Sequence, residues 1–117
     1  ADYRVDKKRV VLTGLSMGGF GTWSWSTEHP ERFAGLVPIC GGGKTAQATA
    51  LKGMPIWAFH GDADSVVKFA TGQAIVDAAK AAGADIKFTV YPGVGHNSWG
   101  KAYAEPELEA WILARTK

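Results

Sequence analysis

The sequence has very little cysteine and no long apolar run. Cys40 is the only cysteine among 117 residues, so no disulfide can form within the chain, and its apolar neighbours predict a small buried side chain. No apolar run approaches the roughly 18 residues that a membrane-spanning helix needs. The first residues are too polar for a signal peptide, so we expect neither a signal nor a membrane segment, and the compartment stays open.

The chain also lacks a strong excess of either charge. It carries 13 Lys and Arg residues against 11 Asp and Glu residues, a net charge of +2. The one dense charged cluster, residues 6–9, has no interleaved aromatic residues, so we expect a solvated turn and neither a nucleic-acid nor a membrane partner. The His and Asp residues show no spacing typical of metal ligands, and we therefore expect no metal and no organic cofactor.

What the sequence does have is a regular series of apolar runs. Hydrophobic residues make up 46% of the chain and aromatic residues 11%, which suffices for the core of one domain over residues 1–117. Four apolar runs punctuated by glycine predict buried strands. These runs are residues 10–13, 36–40, 56–59 and 86–91.

Helical patterns fill the segments between and after these runs. Residues 18–28 predict one helix, and a second is predicted from Phe69 to about Gly83. A last helix is predicted to open with Pro106 in its first turn and to dock on the sheet. Its apolar stripe consists of Leu108, Trp111 and Ile112. Strands that alternate with helices predict an α/β fold of about four parallel strands, flanked by helices and joined by right-handed crossovers.

Residues 14–18 read Gly-Leu-Ser-Met-Gly and directly follow the first apolar run. A sharp turn from strand to helix strains the serine backbone, and flanking glycines remove the side chains that would collide there. The pattern is typical of a nucleophile elbow, which would present Ser16 at the carboxyl end of the sheet for acyl transfer. The Met17 N–H, at the positive end of the following helix, is the predicted oxyanion donor.

A serine nucleophile needs a base within hydrogen-bond reach and an acid that orients the base. His29 ends a predicted helix and His60 ends a predicted strand, so we expect structural roles for both. His96 lies in a glycine-rich loop after the fourth strand, at the same sheet edge as the elbow, and is the predicted base. Asp62 and Asp64 share the loop after the third strand, and spacing alone leaves the acid open between them, the other solvating the loop or capping the next helix.

These features resemble the carboxyl-terminal half of an α/β-hydrolase, in the esterase branch that includes feruloyl esterases, polyhydroxybutyrate-depolymerase-like proteins and predicted peptidases. The segments that carry the resemblance are residues 14–23, 29–34, 38–42, 55–61 and 91–96. In that family the His-Gly-x-x-Asp segment supplies the acid, which here falls on Asp64. The resemblance implies a serine hydrolase that cleaves esters of small or aromatic acyl groups with Ser16, His96 and Asp64 as its triad.

The same resemblance implies a truncated fold, because the family's fold begins with several more strands that carry a second oxyanion donor and part of the acyl pocket. The alternative is therefore a folded, self-associating module without activity. The first strand would present an unpaired edge, and such edges recruit partners, so we expect a homo-oligomer that pairs through it. Trp99, three residues after His96, is the candidate for a ring that faces the small ester substrate.

Overall fold

Four parallel strands form one sheet and lie in the order in which the chain visits them. The structure is a computed structural model that describes residues 9–116, so the charged cluster at residues 6–9 lies outside the described residues except for Arg9. The strands are β1 (Val11–Leu15), β2 (Gly35–Ile39), β3 (Pro55–Gly61) and β4 (Asp85–Tyr91), and each pairs in parallel with the next. The predicted four-stranded parallel sheet is confirmed.

The observed strands extend beyond or stop short of the apolar runs by one or two residues. β1 continues past its apolar run through Gly14 to Leu15, which pairs with Ile39. β3 likewise continues to Gly61, which pairs with Tyr91. Parallel pairing uses backbone groups, so a strand can continue through a glycine that an apolar pattern does not mark.

Helices occupy most of the connections between the strands. Within residues 9–116 the helical elements are α1 (Met17–Glu28), α2 (Phe69–Ala81), α3 (Trp99–Tyr103) and α4 (Leu108–Leu113), with 3-10 segments at Pro30–Arg32 and Thr45–Leu51. α2 ends before Gly83, where a φ of +96° favours glycine and stops the helix. None of these helices is both long and apolar enough to cross a membrane.

The predicted start of the last helix was wrong. Pro106 lies before α4, in a turn closed by the Leu108 N–H donating to the Glu105 carbonyl at 3.1 Å. The short helix α3, which precedes that turn, was not predicted, because five residues are too few to show a helical period. The predicted apolar stripe does dock on the sheet: Leu108 is buried, and Trp111 and Ile112 pack against the same core.

The two faces of the sheet carry separate cores because successive strand residues point to opposite faces. On one face β2 and β3 pack against α1 and α2, and on the other they pack against α3 and α4. The first core includes Trp23, Leu36, Ile56, Ala58 and Ile75, and the second includes Val37, Ile39, Trp57, Phe59 and Leu108. With both faces covered, the carboxyl edge of the strands is left for a site.

The start of α1 packs backbone against backbone on the chain that leaves β2. A Cβ atom added to Gly19 would lie 2.6 Å from the Ile39 carbonyl oxygen, and one added to Gly41 would lie 2.7 Å from the Gly19 Cα. Neither position has room for a side chain, because the atoms it would meet are backbone atoms. This close approach fixes α1 at the carboxyl edge.

We expect Gly19→Ala to lower the free energy of unfolding by about 1–3 kcal/mol, because the added methyl group must push α1 away from β2. Gly21→Ala is the matched control. Gly21 lies in the same helix with no atom within 4 Å of an added Cβ, so alanine there should raise stability by roughly 0.5–1 kcal/mol. Urea denaturation measures both, and equal effects of the two substitutions would contradict the close-approach account.

Candidate active site

Ser16 lies at the sharp turn between β1 and α1. Its backbone has φ 53° and ψ −115°, a conformation that costs a non-glycine residue roughly 1–3 kcal/mol. The Ser16 N–H offsets part of this strain by donating to the Ile39 carbonyl at 2.9 Å, and it also lies 3.3 Å from the Cys40 Sγ. A Cβ at Gly14 would collide with the Gly18 carbonyl, so the tight turn depends on glycine. The predicted elbow geometry is present.

His96 joins the serine to the buried carboxylate. Its Nε2 lies 2.7 Å from the Ser16 Oγ, and its Nδ1 lies 2.8 Å from the Asp64 Oδ2. An ionised carboxylate can only accept, so Nδ1 carries the hydrogen and Nε2 is free to accept the serine proton. The His96 side chain is 20% exposed, whereas that of Asp64 is fully buried. The three groups therefore form one continuous hydrogen-bond chain that is closed to solvent at its carboxylate end.

The Asp64 carboxylate is held by more than the histidine. Its Oδ1 accepts hydrogen bonds from the backbone N–H groups of Val66 and Val67, each at 2.9 Å. Burial alone would raise the pKa of Asp64, but the hydrogen bond from His96 and those from the two amides outweigh burial and hold the pKa below its usual value. The carboxylate is therefore ionised at neutral pH and can orient and stabilise a protonated His96.

The structure distinguishes the two candidate acids. Asp62, two residues before Asp64, points elsewhere: its Oδ1 accepts the Gly93 N–H at 2.7 Å. This bond ties the loop after β3 to the loop that carries His96. Asp62 does not cap α2, whose N-cap residue Lys68 makes no side-chain cap. Asp64 is thus the carboxylate that the fold brings to the histidine.

The two other histidines lie apart from the serine, each in a different way. His29 follows the last residue of α1, is 40% exposed, and has its Nδ1 3.8 Å from the Glu31 Oε1, as expected for a surface residue at a helix end. His60 is buried near the end of β3, and its Nε2 lies 2.8 Å from the Val67 carbonyl oxygen. Only His96 reaches the Ser16 hydroxyl among the histidines of the chain.

The remaining predicted site residues, Met17 and Trp99, adjoin the triad. Met17 is the first residue of α1, where helical geometry leaves the N–H without an intrahelical acceptor, and its side chain is 85% exposed. Trp99 is the first residue of α3, and its half-buried ring packs edge-on against the His96 ring at a centroid distance of 5.6 Å. Met17 therefore lies next to the predicted nucleophile, and Trp99 lies next to the predicted base.

Cys40 lies beneath the triad, a placement that the sequence pattern did not reveal. In the β1–β2 register Leu15 pairs with Ile39, so the next residues, Ser16 and Cys40, are neighbours. Burial raises the pKa of the Cys40 thiol, which keeps it protonated at neutral pH. The register of the first two strands is the signal that places this thiol against the elbow.

One group of potential metal ligands occurs among residues 9–116. The Cys40 thiol, the Asp64 carboxylate and a His96 ring nitrogen lie within 4.8 Å of one another. Two of these groups already bond to each other within the triad, so an ion bound here would replace the hydrogen bond between Asp64 and His96. The arrangement suits proton transfer better than metal binding.

The chain is similar to proteins named as thioesterases, carboxylesterases and esterases. Residues 1–108 match the sequence model of the dienelactone hydrolase family. Acyl-protein thioesterase 1 of Neurospora crassa is 34% identical over 113 residues, which cover 83% of this chain and 43% of that protein. Carboxylesterase SOBER1 of Arabidopsis thaliana is 32% identical over 116 residues, covering 94% of this chain and 50% of that protein.

A solved structure of a thermostable esterase superimposes on 99% of this chain with a TM-score of 0.95 and 35% identity, and the match covers 33% of that structure's chain. The α/β-hydrolase fold inferred from the sequence is therefore confirmed by a close structural relative. The chain spans about half the length, or less, of the curated relatives that it matches.

The lowered pKa of Asp64 predicts a dependence of stability on pH. A carboxylate whose pKa is depressed by folding stabilises the fold at pH values above its ordinary pKa, and this stabilisation is lost as the pH falls toward the folded-state pKa. We expect Asp64→Asn to be less stable than the unsubstituted chain at about pH 7 and to lose less stability on acidification to about pH 3.

Denaturant unfolding at a series of pH values measures this difference. Asp77→Asn is the control, because Asp77 is an exposed carboxylate on α2, and it should keep the full acid-dependent loss. An Asp64→Asn variant whose stability falls with acid as steeply as that of the unsubstituted chain would contradict the assigned interactions.

Proposed function

Because the chain belongs to the dienelactone hydrolase family, we propose that it is a serine hydrolase that cleaves carboxylic esters through an acyl-enzyme. The observation that carries this proposal is the continuous hydrogen-bond chain from the Ser16 hydroxyl through His96 to the buried Asp64 carboxylate. The carboxylesterase and thioesterase names of its relatives support the same chemistry. In a serine-triad hydrolase the hydroxyl attacks the acyl carbon, the histidine takes its proton, and the carboxylate orients the histidine and stabilises its protonated form.

In the first half of the reaction the Ser16 Oγ attacks the ester carbonyl carbon. His96 Nε2 takes the hydroxyl proton, and Asp64 stabilises the imidazolium that forms. The carbonyl oxygen becomes an oxyanion, to which the Met17 N–H at the positive end of α1 donates a hydrogen bond. His96 then gives its proton to the departing alcohol, and the acyl group stays on Ser16.

In the second half a water molecule takes the place of the alcohol. His96 Nε2 accepts a proton from the water as the water oxygen attacks the acyl carbon. The same proton then passes to the Ser16 Oγ as the carboxylic acid product leaves. The strained Ser16 backbone favours this cycle, because it holds the Oγ at the helix N-terminus before substrate arrives. No cofactor is required at any step.

We assign the substrate class as esters of small or aromatic acyl groups. Trp99 supports this assignment, since its half-buried ring stands beside His96 and offers an apolar surface next to the reacting atoms. Met17 adds a second apolar side chain, 85% exposed, directly after the nucleophile. A thioester would react by the same steps, because the attack is again on an acyl carbon.

The outer edge of β1 supports a further proposal, self-association. Among the described residues β1 pairs with β2 alone, which leaves the backbone groups of its other edge without a strand. Unpaired edges of this kind are satisfied by a second strand or a covering element. We therefore propose that two copies of this chain associate through β1 about a two-fold axis.

The test of the proposed activity is p-nitrophenyl acetate hydrolysis by the purified chain and its Ser16→Ala variant. We expect the substitution to lower kcat by about four to six orders of magnitude without loss of fold, because the nucleophile of a triad is removed. Ser24→Ala is the matched control, because Ser24 is an exposed serine on α1, and it should keep full activity. Far-ultraviolet circular dichroism checks the fold of each variant.

Two outcomes separate this proposal from its rival, a folded module without activity. Saturable turnover that depends on Ser16 and His96 supports the hydrolase. The absence of Ser16-dependent turnover, together with the absence of a Ser16-dependent acyl burst in the folded chain, supports the inert module.

The proposed dimer is tested by sedimentation velocity over a range of protein concentrations. We expect a concentration-dependent shift from monomer to dimer, because pairing through an edge buries only part of each copy. A single monomeric species at every concentration, in a chain that unfolds cooperatively, would contradict self-association through β1.

A further inference from the structure

A second histidine, which is buried, lies close to the Asp64 carboxylate. His60, near the end of β3, is 1% exposed. Its Nε2 lies 2.8 Å from the Val67 carbonyl oxygen and 3.4 Å from the Asp64 Oδ2. That oxygen is the one that accepts the His96 hydrogen bond, so two imidazole rings converge on a single carboxylate oxygen.

The Val67 carbonyl determines the protonation of the His60 ring. A carbonyl oxygen can only accept a hydrogen bond, so the hydrogen lies on the His60 Nε2. The same Nε2 also lies 3.4 Å from the Asp64 Oδ2, without hydrogen-bond geometry but close enough for an electrostatic interaction. His60 therefore places a partial positive charge next to the oxygen that His96 uses.

His60 also closes the turn that carries Asp64. The Val67 N–H donates to the Asp64 Oδ1, and the Val67 carbonyl accepts from His60. Both hydrogen-bonding groups of Val67 are thus tied down, one to the carboxylate and one to the imidazole. The position of the carboxylate depends on a ring of contacts in which His60 is the only member from β3 itself.

Helix α2 packs against the His60 imidazole and leaves space for it. Gly72 in α2 lies against the imidazole, and a Cβ there would collide with the His60 Nδ1. Phe69, one turn earlier, meets the His60 ring edge-on at a centroid distance of 5.8 Å. The side chain is therefore held in one orientation from the helix side, which keeps its Nε2 directed at the acid loop.

We propose that His60 is a positioning residue for the reaction. It holds the Asp64 carboxylate in place and weakens the attraction of that carboxylate for protonated His96, and it does not touch substrate. The proposal rests on the hydrolase function proposed above. Removing the His60 N–H leaves the turn looser, which lowers kcat. It also removes a partial positive charge beside the Asp64 Oδ2, so the carboxylate attracts the protonated base more strongly.

The experiment compares His60→Gln with His60→Asn. The amide nitrogen of glutamine can occupy the place of the His60 Nε2, whereas that of asparagine reaches only as far as Nδ1. The two polar variants therefore differ in whether they can donate to the Val67 carbonyl and place an N–H near Asp64. We expect His60→Asn to lower kcat roughly 10- to 100-fold with little change in KM, and His60→Gln to recover most of that loss. His29→Gln, an exposed histidine, is the control.

Two readouts distinguish positioning from simple support of the fold. The acid limb of the pH–rate profile should move to higher pH in His60→Asn and stay in place in His60→Gln and His29→Gln. Proton NMR of the folded proteins should show the His96 Nδ1–H resonance displaced in His60→Asn alone. The NMR measurement needs no turnover, so it tests the role of His60 even if the chain proves inactive.

Equal behaviour of the asparagine and glutamine variants would overturn the proposal. A second outcome would also overturn it. In that outcome the activity of His60→Asn falls only in proportion to the folded fraction, and neither the acid limb nor the His96 Nδ1–H resonance moves. If His60→Asn does not fold, His60→Gln alone tests the proposal. An activity and a His96 Nδ1–H resonance that differ from those of the unsubstituted chain would then contradict it, because glutamine keeps the N–H donor.

Discussion

The Asp64 carboxylate is the group on which the rest of the site depends. Four hydrogen-bond donors or close N–H groups surround it, from His96, from the Val66 and Val67 amides and, at longer range, from His60. A buried charge of this kind is tolerable only when it is fully bonded. The same bonds that make burial possible also aim the carboxylate at the base, so structural and chemical requirements are met by one arrangement.

The parallel sheet brings that carboxylate to the nucleophile. The carboxyl ends of neighbouring strands meet at one edge, so loops far apart in sequence carry Ser16, Asp64 and His96 to the same place. Close backbone contact at Gly19 and Gly41 then fixes the first turn of α1 at this edge. Fold and site are coupled there, because a shift of α1 would move the serine and its helix N-terminus together.

The sequence was sufficient to predict the architecture and the elbow, because both leave local signals. Apolar runs mark buried strands, and glycines around Ser16 mark a turn that other residues cannot make. The choice between Asp62 and Asp64 did not follow from spacing, since both lie in one loop. The family resemblance favoured Asp64, and the tertiary contacts with Gly93 and His96 separate the two carboxylates. Contacts across strands, such as that of the Cys40 thiol with the elbow, leave no periodic pattern and need the register.

The central claim is that this chain builds a serine made nucleophilic by its neighbours, and active-site labelling tests it most directly. A p-nitrophenyl alkylphosphonate is incubated with the folded chain, and the modified residue is located by peptide mass spectrometry. The account predicts one phosphonyl group, attached to the Ser16 Oγ with release of p-nitrophenolate, and none when His96 is replaced by alanine. No adduct on the folded chain, or labelling spread over exposed serines and tyrosines, would contradict it.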